Sequence, residues 1–367
     1  MRVVMISKAL LPVAYRGKLT ALSRQADVEL IAVVPPEWRD RRGLTRLEPG
    51  LEDGYRLVCT PLRWNGHYHL HYYPDLPILL ASLKPEIVHI DEEPYNLATW
   101  HAYRAARQVG ARCCFFTWQN IRHRYPPPFS LFERYVYRHS AAAIAGNQDA
   151  ARILRSKGYH GPLAVIPQFG VDEDLFCPRG RCIGQPFTVG YAGGLIPEKG
   201  VDLLIRAVTH LRGEWQLKLA GDGAERPRLE ALCRRLGIVD RVYFLPKMPS
   251  RSMPDFYRGL DVLVLPSRAT RRWKEQFGRV LIEAMACEVP VIGARTGEIP
   301  AVIGDAGLTF PQDDEAALAQ ALLRLQQDEA LREDLARRGR DRVLAHFTHR
   351  RVAEATAEVY RQMATSR

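Results

Sequence analysis

No apolar run in the 367-residue chain approaches the length of a bilayer span, which excludes a membrane-crossing helix. A disulfide framework is missing too. The seven cysteines are odd in number and irregular in spacing. Cys113 and Cys114 share a strand-like run, Cys177 and Cys182 share a loop, and no second Cys or His pair completes a metal site. This pattern predicts a reducing, cytoplasmic compartment. There is no interleaved basic–aromatic sheet motif and no recognition helix, so the formal charge of +11 is not the footprint of nucleic acid. An anionic membrane surface, at the inner face, or a diphosphate-bearing acceptor is the better use of that charge. The segment from Met1 to Ile6 is too short for a signal peptide and reads as a first strand.

What is present is alternation. A chain of this length usually makes two domains. Strand Arg2 to Ser7, a loop through Pro12 and Tyr15, a helix from Gly17 to Gln25 and strand Val28 to Val34 begin a doubly wound α/β domain. Strands follow at Ile87–Ile90, Cys113–Phe116, Ala142–Gly146 and Leu163–Ile166. A linker over 171–186, rich at its end in Pro, Gly and Cys, separates domain 1–170 from domain 187–350. The second domain shows strands at Phe187–Ala192, Gln216–Ala220, Val242–Leu245 and Val262–Leu265, and its tail is helical from Asp314.

The stretch from Trp273 to Ala286 carries the strongest chemical signal. Gly278 is predicted to open a helix whose apolar side is Val280, Leu281, Ala284 and Met285. Glu275 then precedes the helix and Glu283 lies about a turn and a half inside it. A helix start offers N–H groups and a positive dipole end, which suit a phosphate. Carboxylates ahead of and behind that start suit hydroxyl-rich groups on either side of a diphosphate, as in a nucleotide-sugar. A glycine-initiated amphipathic helix also needs no ligand, and spacing alone leaves both readings open. The context favours a ligand: Val289 to Gly293 reads as a buried strand and Gly297-Glu298-Ile299-Pro300 as a turn, the setting in which α/β proteins bind at strand C-termini.

The segment resembles the Glu-x7-Glu signature of retaining family 4 glycosyltransferases, which have the GT-B fold. Other blocks agree in the same order: 193–200 (Gly193 to Gly200), 220–223, 264–267 and 304–307. The resemblance implies an α/β protein of two Rossmann-like doubly wound domains facing a cleft, with a last segment, 351–367, crossing back to the first. It implies transfer of a sugar from a nucleoside-diphosphate sugar to a hydroxyl of an unidentified acceptor, with retention, without metal and without a cofactor beyond the co-substrate. Polysaccharide or cell-envelope synthesis is the implied setting. The donor side falls on Gly193, Gly194, Lys199, Glu275, Gln276, Phe277, Gly278 and Glu283. By the same resemblance Glu275 and nearby N–H groups hold sugar and diphosphate, Glu283 binds the ribose hydroxyls, and Lys199 neutralises the departing diphosphate.

The chain departs from the family in three places. Its first loop has only Gly17 where relatives carry two glycines, so Lys8, Arg16 or Lys18 is expected to supply charge there. Gly194 replaces a usual arginine, with Arg268, Arg271 or Arg272 as candidate substitutes. Gln119 and Asn120 stand where a histidine is frequent, and they can hydrogen-bond but not act as bases. Asp172-x-Asp174 reads as an interdomain turn rather than a metal pair. Asp91, Glu92 and Glu93 end a buried strand, either as cleft-side acids or as caps of the helix Tyr95–Val109. Alternation over 67–73 predicts an edge strand rather than a histidine metal site. The stripe Phe129, Phe132, Tyr135 and Val136 is expected to face the domain's own sheet, with a membrane surface as the alternative. An epimerase or hydrolase on the same fold, and a non-catalytic nucleotide-sugar-binding subunit, are the rival functions.

Overall fold

The structure, a computed structural model, describes residues 1–40, 43–50, 52–179 and 186–365. It divides into two compact units, Met1–Gly170 with His349–Arg367, and Val171–Thr348. Each is a parallel sheet wrapped by helices.

In the first unit the elements run β1 (Arg2–Ile6), α1 (Gly17–Ser23), β2 (Glu29–Val34), β3 (Glu37–Asp40), β4 (Gly43–Arg46), β5 (Arg56–Cys59), α2 (Leu76–Leu83), β6 (Ile87–Ile90), α3 (Leu97–Gln108), β7 (Arg112–Thr117), α4 (Phe129–His139), β8 (Ser140–Ala145), α5 (Gln148–Ser156) and β9 (Leu163–Val165). The sheet order is β5-β2-β1-β6-β7-β8-β9. Val3 to Ile6 and Ile87 to Ile90 are buried without alternation, as expected of parallel strands covered on both faces. Strand order reverses between β1 and β6, so the loops after those strands flank the crevice where such sheets take ligands.

The second unit continues with β10 (Phe187–Ala192), α6 (Val201–Ala207), β11 (Trp215–Ala220), α7 (Arg226–Leu236), β12 (Val242–Leu245), α8 (Met253–Arg258), β13 (Val262–Leu265), α9 (Arg279–Ala286), β14 (Val291–Ala294), α10 (Ile299–Ile303), β15 (Leu308–Phe310), α11 (Glu315–Gln327) and α12 (Glu329–His346). Its order, β12-β11-β10-β13-β14-β15, reverses between β10 and β13. The last helix, α13 (His349–Thr365), belongs to the first unit and packs on α1.

Several expectations are corrected here. Residues 67–73 form turns, with Leu70 and His71 both donating to His67 O, and only an isolated bridge joins Tyr72 to Arg63. Alternation misled because the rings pack on one another rather than on two sheet faces. Residues 171–179 are part of the second unit: Val171 bridges Thr348, and Arg258 donates to the carbonyls of Leu175 and Cys177. The rest of the expected linker, 180–185 with Cys182, lies outside the described residues. The final helix begins at His349 rather than Arg351, and Ile299 already opens α10 where a turn was expected. The stripe on α4 meets both a helix and the sheet: Phe132 and Tyr135 lie against Trp100 of α3 at 5.0 and 6.3 Å between ring centres, and Val136 is buried in the cluster that holds Cys113 and Phe115 of β7. Val136 is fully buried, and Phe129, Phe132 and Tyr135 are half-buried. No helix among the described residues is long and apolar enough to cross a membrane.

Candidate active site

In the second unit, two loops at the strand-order reversal are pressed together. The loop after β10 makes one 3-10 turn, Pro197–Lys199, ended by Gly200 at φ +65°. A Cβ at Gly200 would lie 2.2 Å from the Pro266 carbonyl oxygen, so only glycine admits the loop after β13 this closely. That approach brings Lys199 to Glu275. Lys199 Nζ donates to Glu275 Oε2 at 2.6 Å, Ser267 Oγ donates to the same oxygen at 3.0 Å, and the ammonium sits 5.0 Å from the centre of the Trp273 ring. The Glu275 backbone is fixed from the other side by the loop after β14: Glu298 N donates to Glu275 O. Gly297, at φ +57°, would place a Cβ 2.3 Å from that carbonyl oxygen. Gly278 caps α9, and Glu283 on its buried face accepts from Tyr257 Oη at 2.7 Å and pairs with Arg279 at 2.9 Å.

In the first unit, the acids after β6 form the hub of a hydrogen-bond network spanning four strand ends. Asp91 accepts from Ser7 Oγ after β1 and from Gln168 Nε2 beyond β9, at 2.8 and 2.9 Å. Gln168 in turn accepts from the Trp118 indole at 2.8 Å. Glu92 pairs with Lys8 and lies 3.5 Å from His71 Nε2, while His71 Nδ1 donates to Tyr68 O. Burial pushes the Glu92 carboxyl up, but the Lys8 ammonium and His71 outweigh it and hold it down at about 2. Glu93 accepts from Thr117 Oγ1 at 2.6 Å and from Trp118 N at 2.8 Å; burial still drives its carboxyl up to about 7. Lys8 also lies over the rings of Trp38 and Tyr68.

Both units match known family models. Residues 14–168 match the family model "Glycosyl transferase 4-like domain", and residues 181–342 match "Glycosyl transferases group 1". The chain belongs to the family 4 glycosyltransferases. It is 32% identical over 261 residues to a D-inositol 3-phosphate glycosyltransferase of Stackebrandtia nassauensis, covering 64% of this chain and 57% of that protein. A namesake from Salinispora tropica is 34% identical over 258 residues, covering 62% and 52%. The chain thus spans about half the length of the curated relatives it matches. Among solved structures, sucrose-phosphate synthase of Thermosynechococcus elongatus superposes over 100% of both chains with a TM-score of 0.75 at 21% identity. HepE of Anabaena, solved with UDP, superposes over 98% of this chain and 99% of its own with a TM-score of 0.74 at 17% identity. The fold is GT-B.

Within the second unit the structure places the expected donor residues unequally. Gly193, Lys199, Glu275 and Gly278 converge on the loops at the β10/β13 reversal, whereas Glu283 is buried against Tyr257 and Arg279. Gly194 is exposed, and Gln276 and Phe277 continue the loop into α9. Arg268 does not replace the family arginine: it is forked onto Asp202 and also held by Asp313, which fixes the loop instead. Arg271 and Arg272 are exposed. Asp172 Oδ1 accepts from the amides of Asp174 and Leu175, so the Asp-x-Asp pair makes a turn. Among the described residues, no group of three or more His, Cys, Asp or Glu side chains stands where it could hold a metal ion.

The first-loop cations are corrected as well. Arg16 is 3% exposed and donates to the carbonyls of Leu10, Leu11 and Glu48. Lys18 is 2% exposed, and burial lowers its pKa. Gly17 abuts the His349 ring of α13, so its missing Cβ serves helix packing. Lys8 pairs with Glu92 of the strand-end network, and Lys18 acts on it at longer range, its charge favouring the ionised form of Asp91. The acids do not cap α3, whose N-cap is Asn96. Gln119 is clamped, accepting from Lys157 Nζ at 3.0 Å and facing Tyr125 Oη at 3.4 Å, and Asn120 follows it, partly buried. Sequence reasoning had Trp273 and Ser267 inside its motif stretches without giving them a role and missed Tyr257, because a lone hydroxyl or ring carries no spacing signal.

Gly297 provides a test of the scaffold. Gly297→Ala should cost about 1–3 kcal/mol through backbone strain and should also weaken UDP binding, because Glu275 must shift. Thermal unfolding and calorimetry check both; a variant with unchanged UDP affinity would uncouple Gly297 from the site.

Proposed function

We propose that the chain transfers a sugar from a nucleoside-diphosphate sugar to a hydroxyl, with retention and without a metal ion. The observation that carries this reading is the Lys199–Glu275 pair held at the strand-order reversal, ahead of the glycine-capped start of α9. The ammonium and helix start suit a diphosphate. The Glu275 carboxylate, placed by Ser267 and Lys199, suits hydroxyls of the donor sugar. As the sugar–phosphate bond breaks, Lys199 stabilises charge on the leaving diphosphate, and a diphosphate oxygen can accept the acceptor's proton on the same face.

UDP is the first nucleotide to test, because HepE was solved with UDP and with UDP-glucose. The curated relatives' name makes a phosphorylated cyclitol the first acceptor to test. Envelope or extracellular polysaccharide synthesis is the proposed setting. A cytoplasmic location is part of the proposal, and the six described cysteines, all unpaired, suit a reducing compartment. Contact with an anionic membrane surface is proposed on the basic charge.

The test is UDP-glucose consumption with D-inositol 3-phosphate present, with and without excess chelator. Turnover should survive chelation; loss of activity restored by magnesium or manganese would overturn the metal-free mechanism. Accumulation of an epimer with no acceptor present would move the reading to an epimerase. Glu283→Ala should weaken UDP binding by about 1–3 kcal/mol, the range for hydrogen bonds to a charged group, and unchanged calorimetry would remove Glu283 from the nucleotide site.

A further inference from the structure

Helices α3 and α4 pack side by side in the first unit, and their outward stripes meet. On α4, Leu131, Arg134 and Arg138 recur at helical spacing and are exposed, while Glu133 and Val136 are buried on the opposite side. On α3 the matching stripe is Trp100, Arg104 and Arg107, with both arginines exposed. Aromatic rings join the two stripes: Trp100 stands beside Phe132 and Tyr135, and Arg107 donates to Tyr135 Oη at 3.3 Å. Arg104 lies over the Trp100 ring at 4.9 Å, and Arg134 donates to the Ser130 carbonyl at 3.4 Å. Among the described residues none of these partners is a carboxylate, so the guanidinium charges stay uncompensated.

Charge decides what such a face can meet. Residues 97–139 hold seven arginines and a single carboxylate, Glu133. That one acid is buried and paired with Lys157, so it offsets nothing on the outer stripe. The face is not purely polar either. Leu131 is 52% exposed among the arginines of α4. On the other flank of α3, His101 meets Tyr72 at 5.3 Å, and Tyr72 meets Trp64, whose ring is 55% exposed. Arginine heads on apolar stems, beside an exposed leucine and an indole, suit a surface that carries negative charge outside and hydrocarbon beneath. A soluble polyanion would complement the charge but leave Leu131 and Trp64 in water.

We infer that the joint outer face of α3 and α4 docks on an anionic phospholipid surface, with Arg104, Arg107, Arg134 and Arg138 at the phosphates and Leu131 at headgroup level. This gives the membrane contact proposed above a place on the molecule and rests on that proposal. None of these residues belongs to the donor constellation, so UDP affinity should stay as in the wild type.

The experiment is cosedimentation with vesicles of phosphatidylcholine alone and of phosphatidylcholine mixed with phosphatidylglycerol, at low and high salt. Wild type should bind the mixed vesicles at low salt, ignore the neutral ones, and be released by salt. The pairs Arg104→Gln with Arg107→Gln, and Arg134→Gln with Arg138→Gln, should each lose at least about tenfold in partition, because each removes two basic groups from the surface. Leu131→Asn should lower partition without altering its salt dependence. Arg234→Gln with Arg235→Gln makes the same change in net charge on exposed residues of α7 and should bind as wild type does. Thermal unfolding and UDP calorimetry check that each variant is folded, and either arginine pair suffices should the other fail to fold. Wild-type partition in the α3 and α4 pairs, or an equal loss in the α7 pair, would overturn the assignment of this face. Binding to heparin with none to the mixed vesicles would overturn lipid as the occupant. Wild type that stays in solution with mixed vesicles at low salt would overturn the membrane contact itself, while UDP-glucose turnover would still report on the transferase reading.

Discussion

Replacing Lys199 by alanine should lower turnover at saturating UDP-glucose by about 10²–10³-fold, the effect of deleting one preorganised group aimed at developing charge. The side chain is placed for this role before any ligand arrives. Its ammonium is 2.6 Å from Glu275 Oε2, is flanked by the Trp273 ring, and follows a turn that Gly200 locks against Pro266. Truncation leaves Glu275 with Ser267 on that oxygen, so the fold should survive and the loss should appear in kcat more than in UDP affinity. Lys199→Arg should recover part of the rate, because charge is kept while the point geometry is not. A Lys199→Ala enzyme with wild-type kcat would remove the lysine from the mechanism.

The second large effect is on stability. Lys8→Met leaves Glu92 buried against His71 without its ammonium partner, and breaking such a pair typically costs about 3–5 kcal/mol. The Glu92 and Lys8 side chains are 2% and 12% exposed, so water cannot replace the contact. The pH dependence has a definite sign. A carboxyl held at about 2 in the fold contributes stability that is present above its unfolded value near 4.5 and is lost as pH falls from 4.5 toward 2. The span corresponds to about 3 kcal/mol. Glu93, raised to about 7, acts oppositely: its contribution is present below 4.5 and fades as pH rises through 7. Urea unfolding of wild type and Lys8→Met between pH 2 and 8 measures both. A Lys8→Met protein as stable as wild type at pH 6 would show that the pair is not what settles Glu92 in the core.

Much of the fold was legible because its signals are local. Buried runs such as Val262–Leu265 and the glycine-opened helix at Gly278 announce themselves by hydrophobicity and turn chemistry, and the observed elements follow them closely. Lys199 and Glu275 were legible through motif blocks, although 76 residues separate them and only the strand-order reversal brings them together. The first unit was harder. Arg16 is turned inward onto the carbonyls of Leu10, Leu11 and Glu48, and Lys18 is buried near Asp91, while Gly17 between them is closed over by His349 of α13, more than 300 residues away. The ring-rich segment 67–73 imitates strand alternation, but His71 is drawn inward by Glu92, a partner that no periodicity reveals. The acid triplet looked like a set of caps or cleft acids; it is the hub of a network because four parallel strands end beside it.

The most direct test of the proposed chemistry is the stereochemistry of the first product. UDP-glucose is turned over inside the spectrometer, with D-inositol 3-phosphate or water taking the sugar, and the anomeric proton of the product is followed before any mutarotation. The Lys199–Glu275 arrangement, with the leaving diphosphate accepting the proton on its own face, predicts the small coupling of a retained α-anomer. A large coupling, from a β-product formed first, would contradict it.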